Sequence, residues 1–323
     1  MKRRVFIQKL AATVSVFSIV PSRVLGFSGV APNDKIQLGF IGVGKQGRGL
    51  MTNFVNYDAV AVTAVSDVDV DKMSLFSEAF SKALAKKKKP SQKLSEMASY
   101  RELLSRKDID AVVIASPDHW HAQMAVDAAK AEKDIYCEKP LSASVAEGRA
   151  MVDAARKYQR VFQTGSMQRS WDRFRHGVEL IRNGYIGEIK EIKVAIGAPY
   201  KSCDLPTQAA PANIDWNAWI GPAPYRGYHE DLACPIGDKR WGMWRDYYPF
   251  GGGMVTDWGA HMFDIVQWAL DQDHTGPVQF TPPSSPSESG LVYTYENGIK
   301  VTHTKWGENN NEIQFIGTKG RLE

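Results

Sequence analysis

The stretch Ile36-Gln37-Leu38-Gly39-Phe40-Ile41-Gly42-Val43-Gly44-Lys45-Gln46-Gly47 decides the fold. Its first half is short, apolar and free of charge, as a strand buried on both faces requires. Its second half is a G-x-G-x-x-G turn opening a helical segment. There the glycines permit a tight turn, close approach of backbone to a pyrophosphate, and close packing of the helix, whose N-terminus favours phosphate charge. Gly42, Gly44, Lys45, Gln46 and Gly47 are therefore predicted to bind a dinucleotide. Asp67 ends the next apolar run, about 20 residues on, where a carboxylate holds an adenosine ribose diol and repels a 2′-phosphate. That favours NAD over NADP.

Working outward, short apolar runs at 36–42, 60–66, 111–116, 134–138 and 161–164 alternate with helical patterns, the signature of βαβ units and a mainly parallel sheet. Ser144-Val145-Ala146-Glu147 reads as a capping box, and the lysine run 86–89 as a solvated helix end. After about residue 168 the texture changes to longer connections, aromatic clusters and strand patterns at 189–196 and 291–295. The expected organisation is a Rossmann domain over 34–168 followed by an α+β domain over 169–323 with an open, mainly antiparallel sheet. Residues 281–290 are too poor in apolar groups to pack and read as a surface loop.

Composition supports a globular reading, with 43% hydrophobic and 24% charged residues in 323. The net charge is 40 − 36 = +4, but Lys2, Arg3, Arg4, Lys9 and Arg23 all precede the first acidic residue, Asp34. The remainder balances at 4 − 5 = −1, which leaves no electrostatic footprint for nucleic acid. Residues 1–26 have the parts of an export signal, a basic start, an apolar stretch too short to span a bilayer and small residues before a cut. Arg3-Arg4-Val5-Phe6-Ile7 resembles a twin-arginine signal, which predicts a periplasmic protein with no stable membrane anchor after export. Cys137, Cys203 and Cys234 are too few and scattered for a disulfide framework; Cys203 and Cys234 share one loop-rich region, where an oxidising compartment allows them to pair, but two unpaired thiols are the preferred reading.

Two clusters carry chemistry. Lys139, within Cys137-Glu138-Lys139-Pro140, emerges at the carboxyl edge of the sheet, where open α/β folds bind ligands. Gly251-Gly252-Gly253 opens a helix on which Asp257, His261, Asp264 and Trp268 share a face. A histidine with a carboxylate one turn earlier is a candidate general base with its orienting partner. Asp118-His119-Trp120-His121 lacks a clear third ligand for a metal, so none is expected; Asp118 is read as a helix cap and His121 as a neighbour of the nicotinamide. Five of the nine tryptophans fall in 215–258, beside Tyr228, Arg245 and Tyr248. Aromatic faces suit pyranose rings, so Trp244, Arg245 and Tyr248 are candidate substrate contacts.

The glycine loop, the Glu138-Lys139-Pro140 tripeptide and the Asp257-xxx-His261 helix, in this order and spacing, resemble the glucose-fructose oxidoreductase and inositol dehydrogenase (Gfo/Idh/MocA) family from about Lys35 onward. The resemblance implies NAD-dependent oxidation or reduction at a hydroxyl or ketone carbon of a sugar or cyclitol. It implies Lys139 beside nicotinamide and substrate oxygen, His261 exchanging the hydroxyl proton and Asp257 positioning both. Ser116, Pro117, His121 and Glu138 join the cofactor set, and Gln168 and Arg169 the substrate set. It further implies a cis bond before Pro140, a tightly held cofactor, chain beyond Glu323 and a homo-oligomer through the second sheet. The alternatives are a glycosidase working by transient oxidation and elimination, from which the Glu-Lys-Pro pattern points away, and a non-catalytic cofactor- or sugar-binding protein.

Overall fold

The computed structural model describes residues 30–284, 289–306 and 311–323. The leader expected at 1–26 lies outside the described residues, as do 285–288 of the predicted surface loop.

The first domain alternates β1 (Ile36–Ile41), α1 (Lys45–Phe54), β2 (Val60–Ser66), α2 (Val70–Lys86), β3 (Ser95–Met97), α3 (Tyr100–Ser105), β4 (Ala111–Ile114), α4 (Asp118–Lys130), β5 (Asp134–Cys137), α5 (Val145–Lys157) and β6 (Phe162–Thr164). The strands form one sheet in the order β3-β2-β1-β4-β5-β6, with every pairing parallel. Sequence order reverses between β1 and β4, which opens a crevice at the carboxyl ends of these two strands. Phe40, Val65 and Val113 are sealed on one face with Phe76 and Phe80 of α2, while Ile41, Val112 and Ile114 meet Ala125 and Ala128 of α4 on the other. Apolar burial at roughly 25 cal/mol per Å² on both faces is what fixes these uncharged runs as interior strands. The capping box forms, with Ser144 Oγ accepting from Glu147 N at 3.2 Å, although the Glu147 carboxylate returns to Ala143 N rather than to Ser144. Strand β3 was not predicted. Its three residues are too short for a periodic signal, and register with Ala64–Ser66 alone makes it a strand.

The second domain begins with α6 (Asp172–Arg182), β7 (Ile189–Ala195), β8 (Lys201–Ser202), α7 (Trp216–Ile220) and β9 (Tyr247–Tyr248). It continues through α8 (Met254–Asp257), α9 (Gly259–Ala269), β10 (Gln279–Thr281), β11 (Val292–Thr294), β12 (Lys300–His303), β13 (Glu312–Gly317) and β14 (Arg321–Leu322). Its six-stranded sheet runs β10-β11-β12-β7-β13-β14 and is antiparallel throughout except where β12 pairs with β7. Helices α6 and α9 cover one face, burying Val178, Ile181, Met262 and Ile265 against Ile192, Val194 and Phe315. The predicted loop 281–290 gives up Thr281 to strand β10.

Residues 203–250 hold no long helix and no strand but the short β9, which pairs with β8; they form an aromatic cluster in which Trp216 stacks on Trp219 at 4.7 Å between centroids. This cluster docks on the first domain through backbone. Asp215 N donates to Val68 O at 2.9 Å, Val70 N donates to Asn213 O at 3.0 Å, and Trp120 Nε1 donates to Trp219 O at 2.9 Å. A cleft of about 680 Å³ runs between the two domains along the carboxyl edge of the parallel sheet.

Candidate active site

The glycine loop shapes one end of the cleft. Gly42 has φ +81°, and a Cβ there would lie 2.6 Å from Ser116 N, so no other residue fits. At Gly47 a Cβ would strike Gly42 O, which lets α1 start directly under the loop. At Gly44, by contrast, there is open space within 4 Å, and the N-terminus of α1 lacks any side-chain cap. Uncapped N–H groups facing free volume are what a pyrophosphate needs. Asp67 braces the same loop, its carboxylate accepting from Val43 N at 2.8 Å and Asp69 N at 3.1 Å. Burial nonetheless raises its pKa, with Lys72 and the two N–H groups acting in the opposite direction. These features fit a dinucleotide with its adenosine ribose beside Asp67.

Further along, Ser116 and Pro117 follow β4, and Glu138 follows β5, all in the cleft wall. Gln46 Nε2 donates to Glu138 Oε1 at 2.9 Å, joining the glycine helix to the Glu-Lys-Pro segment. His121 is buried, with Nδ1 2.7 Å from Pro140 O and Nε2 2.9 Å from Ser116 O. It therefore props the peptide Lys139-Pro140, which is cis as the resemblance implied. Burial drives its pKa to about 4 despite the two carbonyl acceptors.

At the inner end, Lys139 Nζ donates to Asp257 Oδ1 at 2.5 Å and to Asp257 O at 3.1 Å. Arg245 Nε stands 3.6 Å from the same carboxylate oxygen, its guanidinium 4.2 Å above the ring centre of Trp244. His261, one turn after Asp257, is 5% exposed, and its Nδ1 is buried without a hydrogen-bond partner among the described residues. Burial first, and the Lys139 charge second, lower its pKa to about 4, so the ring is neutral at pH 7 and free to accept a proton.

Several expectations need correction. Asp257 was read as positioning both Lys139 and His261; its carboxylate does hold Lys139, with Arg245 nearby, but makes no hydrogen bond to His261 among the described residues. Asp118 caps nothing: Pro117 is the N-cap position of α4, while Asp118 lines the cleft with Oδ2 unpartnered. Burial lifts its pKa well above the usual carboxylate range, with Arg245 and Lys139 acting in the opposite direction. Arg169 is spent on ion pairs to Asp264 at 2.7 Å and Asp273 at 2.8 Å, outside the cleft wall. Asp264 and Trp268 thus face Arg169 rather than continuing the line of Asp257 and His261. Tyr248 likewise stays outside, 61% exposed and against Tyr200. Gln168, Trp244 and Arg245 do line the cleft, and Gln168 Oε1 is a buried acceptor with no partner among the described residues. Cys203 and Cys234 are free thiols.

Sequence reasoning passed over Arg48 and Lys72, which also line the cleft, and placed Trp241 in the tryptophan cluster without singling it out. Arg48 is the fourth residue of α1, three on from Lys45, and its guanidinium reaches back to Val43 O at 3.3 Å.

A parallel-sheet crevice with a glycine loop, a buried lysine-aspartate pair and a neutral histidine defines a nicotinamide-dependent oxidoreductase site. The comparisons agree. Residues 36–166 match the Gfo/Idh/MocA oxidoreductase family, NAD-binding Rossmann fold, and residues 199–322 match the C-terminal alpha/beta domain of the same family. The uncharacterized oxidoreductase YrbE of Bacillus subtilis is 31% identical over 303 residues, covering 88% of this chain and 72% of that protein. The chain belongs to this oxidoreductase family and carries its NAD-binding domain. A glycosyl hydrolase family 109 protein of Shewanella pealeana is 33% identical over 156 residues, but these cover 47% of this chain and only 31% of that protein. Among solved structures, myo-inositol 2-dehydrogenase from Lactobacillus plantarum superposes with a TM-score of 0.58 at 20% identity, covering 89% of this chain and 76% of that one. Scyllo-inositol dehydrogenase from Lactobacillus casei, with bound NAD(H) and scyllo-inositol, gives 0.57 at 18% identity, covering 89% and 75%.

Proposed function

We propose that the protein moves a hydride between NAD and a carbinol or ketone carbon of a sugar or cyclitol. Bound NAD supplies the hydride acceptor, and its reduced form the donor. The observation that carries the reading is the meeting of Lys139, Asp257 and His261 at the inner end of the NAD cleft, although 118 residues separate the first two. In the oxidative direction His261 takes the hydroxyl proton while the carbon loses hydride, leaving a carbonyl. Lys139 stabilises negative charge developing on that oxygen, and Asp257 holds the ammonium in place. In reduction the imidazolium returns the proton. Gln168 and Arg245 offer an acceptor and a donor to neighbouring hydroxyls, and the Trp244 face suits an apolar ring face. Incubating the purified protein with NAD and a panel of sugars and inositols tests this: reduced nicotinamide should accumulate with at least one, and its absence with all of them in both directions refutes the reading.

A second reading, glycoside cleavage by transient oxidation and elimination, is favoured by the 33% identity of about half of the chain to a glycosyl hydrolase family 109 protein. A chromogenic N-acetylgalactosaminide separates the two, because aglycone release without net change in NAD belongs only to the second. A binding protein without chemistry would hold NAD and turn over neither substrate.

We also propose export through the Arg3-Arg4 leader and self-association through the second sheet. Replacing Arg3 and Arg4 with Lys should strand the precursor in the cytoplasm, and unchanged export of that variant rules the route out.

A further inference from the structure

We infer that residues 232–245 of the second domain form the outer wall of the NAD site, and that the contact of Lys45 with this wall sets how fast NAD leaves. The inference rests on the reading that NAD lies in the cleft. The segment runs the whole length of that cleft. Ala233, Pro235 and Ile236 line a smaller pocket with Asp69 and Asp71, just beyond Asp67; Arg240 O accepts from Lys45 beside the glycine loop; and Arg245 shares the Asp257 carboxylate with Lys139. A dinucleotide on the glycine loop is thus enclosed by a segment that belongs to the other domain.

The wall is fixed at its base and light at its tip. Leu232 is fully buried, Trp244 is 8% exposed, and Met243 N donates to Asp231 O at 3.0 Å, closing the loop between them. Arg240 pins the interior of the loop, pairing with Asp238 at 2.7 Å and Asp231 at 2.9 Å. At the tip, Trp241 is 54% exposed and Ile236 is 39% exposed. Here Lys45 Nζ donates to Arg240 O and lies 5.9 Å from the Trp241 ring centre.

The position of Lys45 supports a clasp. It is the first residue of α1, where a cation opposes the helix dipole and costs a few tenths of a kcal/mol. Its carbonyl and indole partners on the wall offset that cost, and a pyrophosphate below would add to the offset. For NAD to leave, the tip must lift and the Lys45 contacts must break. A carbonyl hydrogen bond and a partly exposed cation–π contact together amount to about 1.4 kcal/mol, or about tenfold in rate.

The test loads the full chain with NADH and mixes it with excess NAD, following nicotinamide fluorescence as NADH dissociates. Trp241→Ala, at an exposed position that should leave folding intact, removes the cation–π half of the clasp and is expected to release NADH about threefold faster than wild type. Asp231→Ala, which frees Arg240 without touching Lys45, is expected to move in the same direction. Lys45→Met should also speed release, and adding Trp241→Ala to it should add little, because both remove one clasp. Release within twofold of wild type in Trp241→Ala and Asp231→Ala overturns the inference. If Lys45→Met alone accelerates release, Lys45 acts on phosphate only and the wall is not a clasp. A wild-type protein that takes up no NADH refutes the underlying reading of the cleft instead.

Discussion

Lys139 and Asp257 form an ion pair across the domain boundary in which the side chains are only 16% and 11% exposed. Each arrives from a different scaffold, the lysine from the end of β5 and the aspartate from α8. The pair therefore reports at once on the chemistry and on the seating of one domain against the other.

Removing one member should separate these roles. Lys139→Ala leaves the Asp257 carboxylate with Arg245 alone, at 3.6 Å, and should cost about 3 kcal/mol of stability along with most turnover. The double variant Lys139→Met with Asp257→Leu should regain stability without regaining turnover, since an apolar pair avoids the desolvation cost. Denaturant unfolding and steady-state rates measure both. A double variant as unstable as the single would show that the pair is not what the boundary depends on.

His261→Ala should lower turnover by about 10² to 10⁴ while NAD affinity stays within about threefold. The ring lies at the inner end of the cleft, away from Asp67 and the glycine loop, so the cofactor's adenosine half should not sense its loss. Titrating NAD into the variant and assaying the active sugar test the split. A collapse of NAD binding would turn His261 into a packing residue.

Asp67→Ser should narrow the preference for NAD over NADP by at least about tenfold, since one pKa-scale interaction of this kind is worth about 1.4 kcal/mol. Arg48 and Lys72 stand in the same end of the cleft and would meet a 2′-phosphate once the carboxylate is gone. Absolute NAD affinity should fall too, because Asp67 braces Val43. Comparing Kd for both cofactors in wild type and variant decides it; an unchanged ratio removes Asp67 from the ribose.

Acid should weaken the fold through its buried neutral imidazoles. His119 Nε2 donates to Trp219 O at 3.1 Å across the domain seam, and burial lowers its pKa to about 4. Its folded pKa lies below the unfolded 6.5, so the unfolded chain binds more protons between pH 6.5 and 4 and stability declines as pH falls through that window. Below about 4 no further loss comes from this group. Asp118 and Glu138, with raised pKa values, act with the opposite sign, so the comparison must be between variants. His119→Asn should flatten the slope by about 1.4 kcal/mol per pH unit in urea unfolding. An unaltered slope would mean that His119 is solvated in both states.

The cofactor end of the site was legible in the sequence because its determinants are local. Gly42 to Gly47 sit within one loop and Lys139 follows directly from one strand end, whereas the cis peptide before Pro140 was expected only from the family resemblance. The substrate end was legible only where a residue's partner lay on the same element or was set by the domain junction. Arg169 was misread because its carboxylates are 95 and 104 residues away, and nothing near Arg169 announces them. Asp118 was taken as a cap because Asp at a helix start usually is one; Pro117 occupies that position and the burial of the carboxyl comes from the tertiary fold. Trp241 owes its place to a loop whose course depends on Asp231 and Asp238.

Gly221 has φ +50°, and a Cβ at that position would collide with the Trp120 indole, while Asp69 and Ile214 form a β-bridge between the same two regions. The two halves of the protein are consequently tailored to each other at the level of main-chain atoms. A chimera that grafts this substrate half onto another NAD-binding half would have to import Trp120 and the backbone course of 67–70 with it. Recombination at the junction near residue 168, which looks like a clean modular cut in the linear sequence, would leave a mismatched seam some fifty to a hundred residues away on either side. New specificity is more accessible by changing residues within the existing wall than by exchanging whole halves.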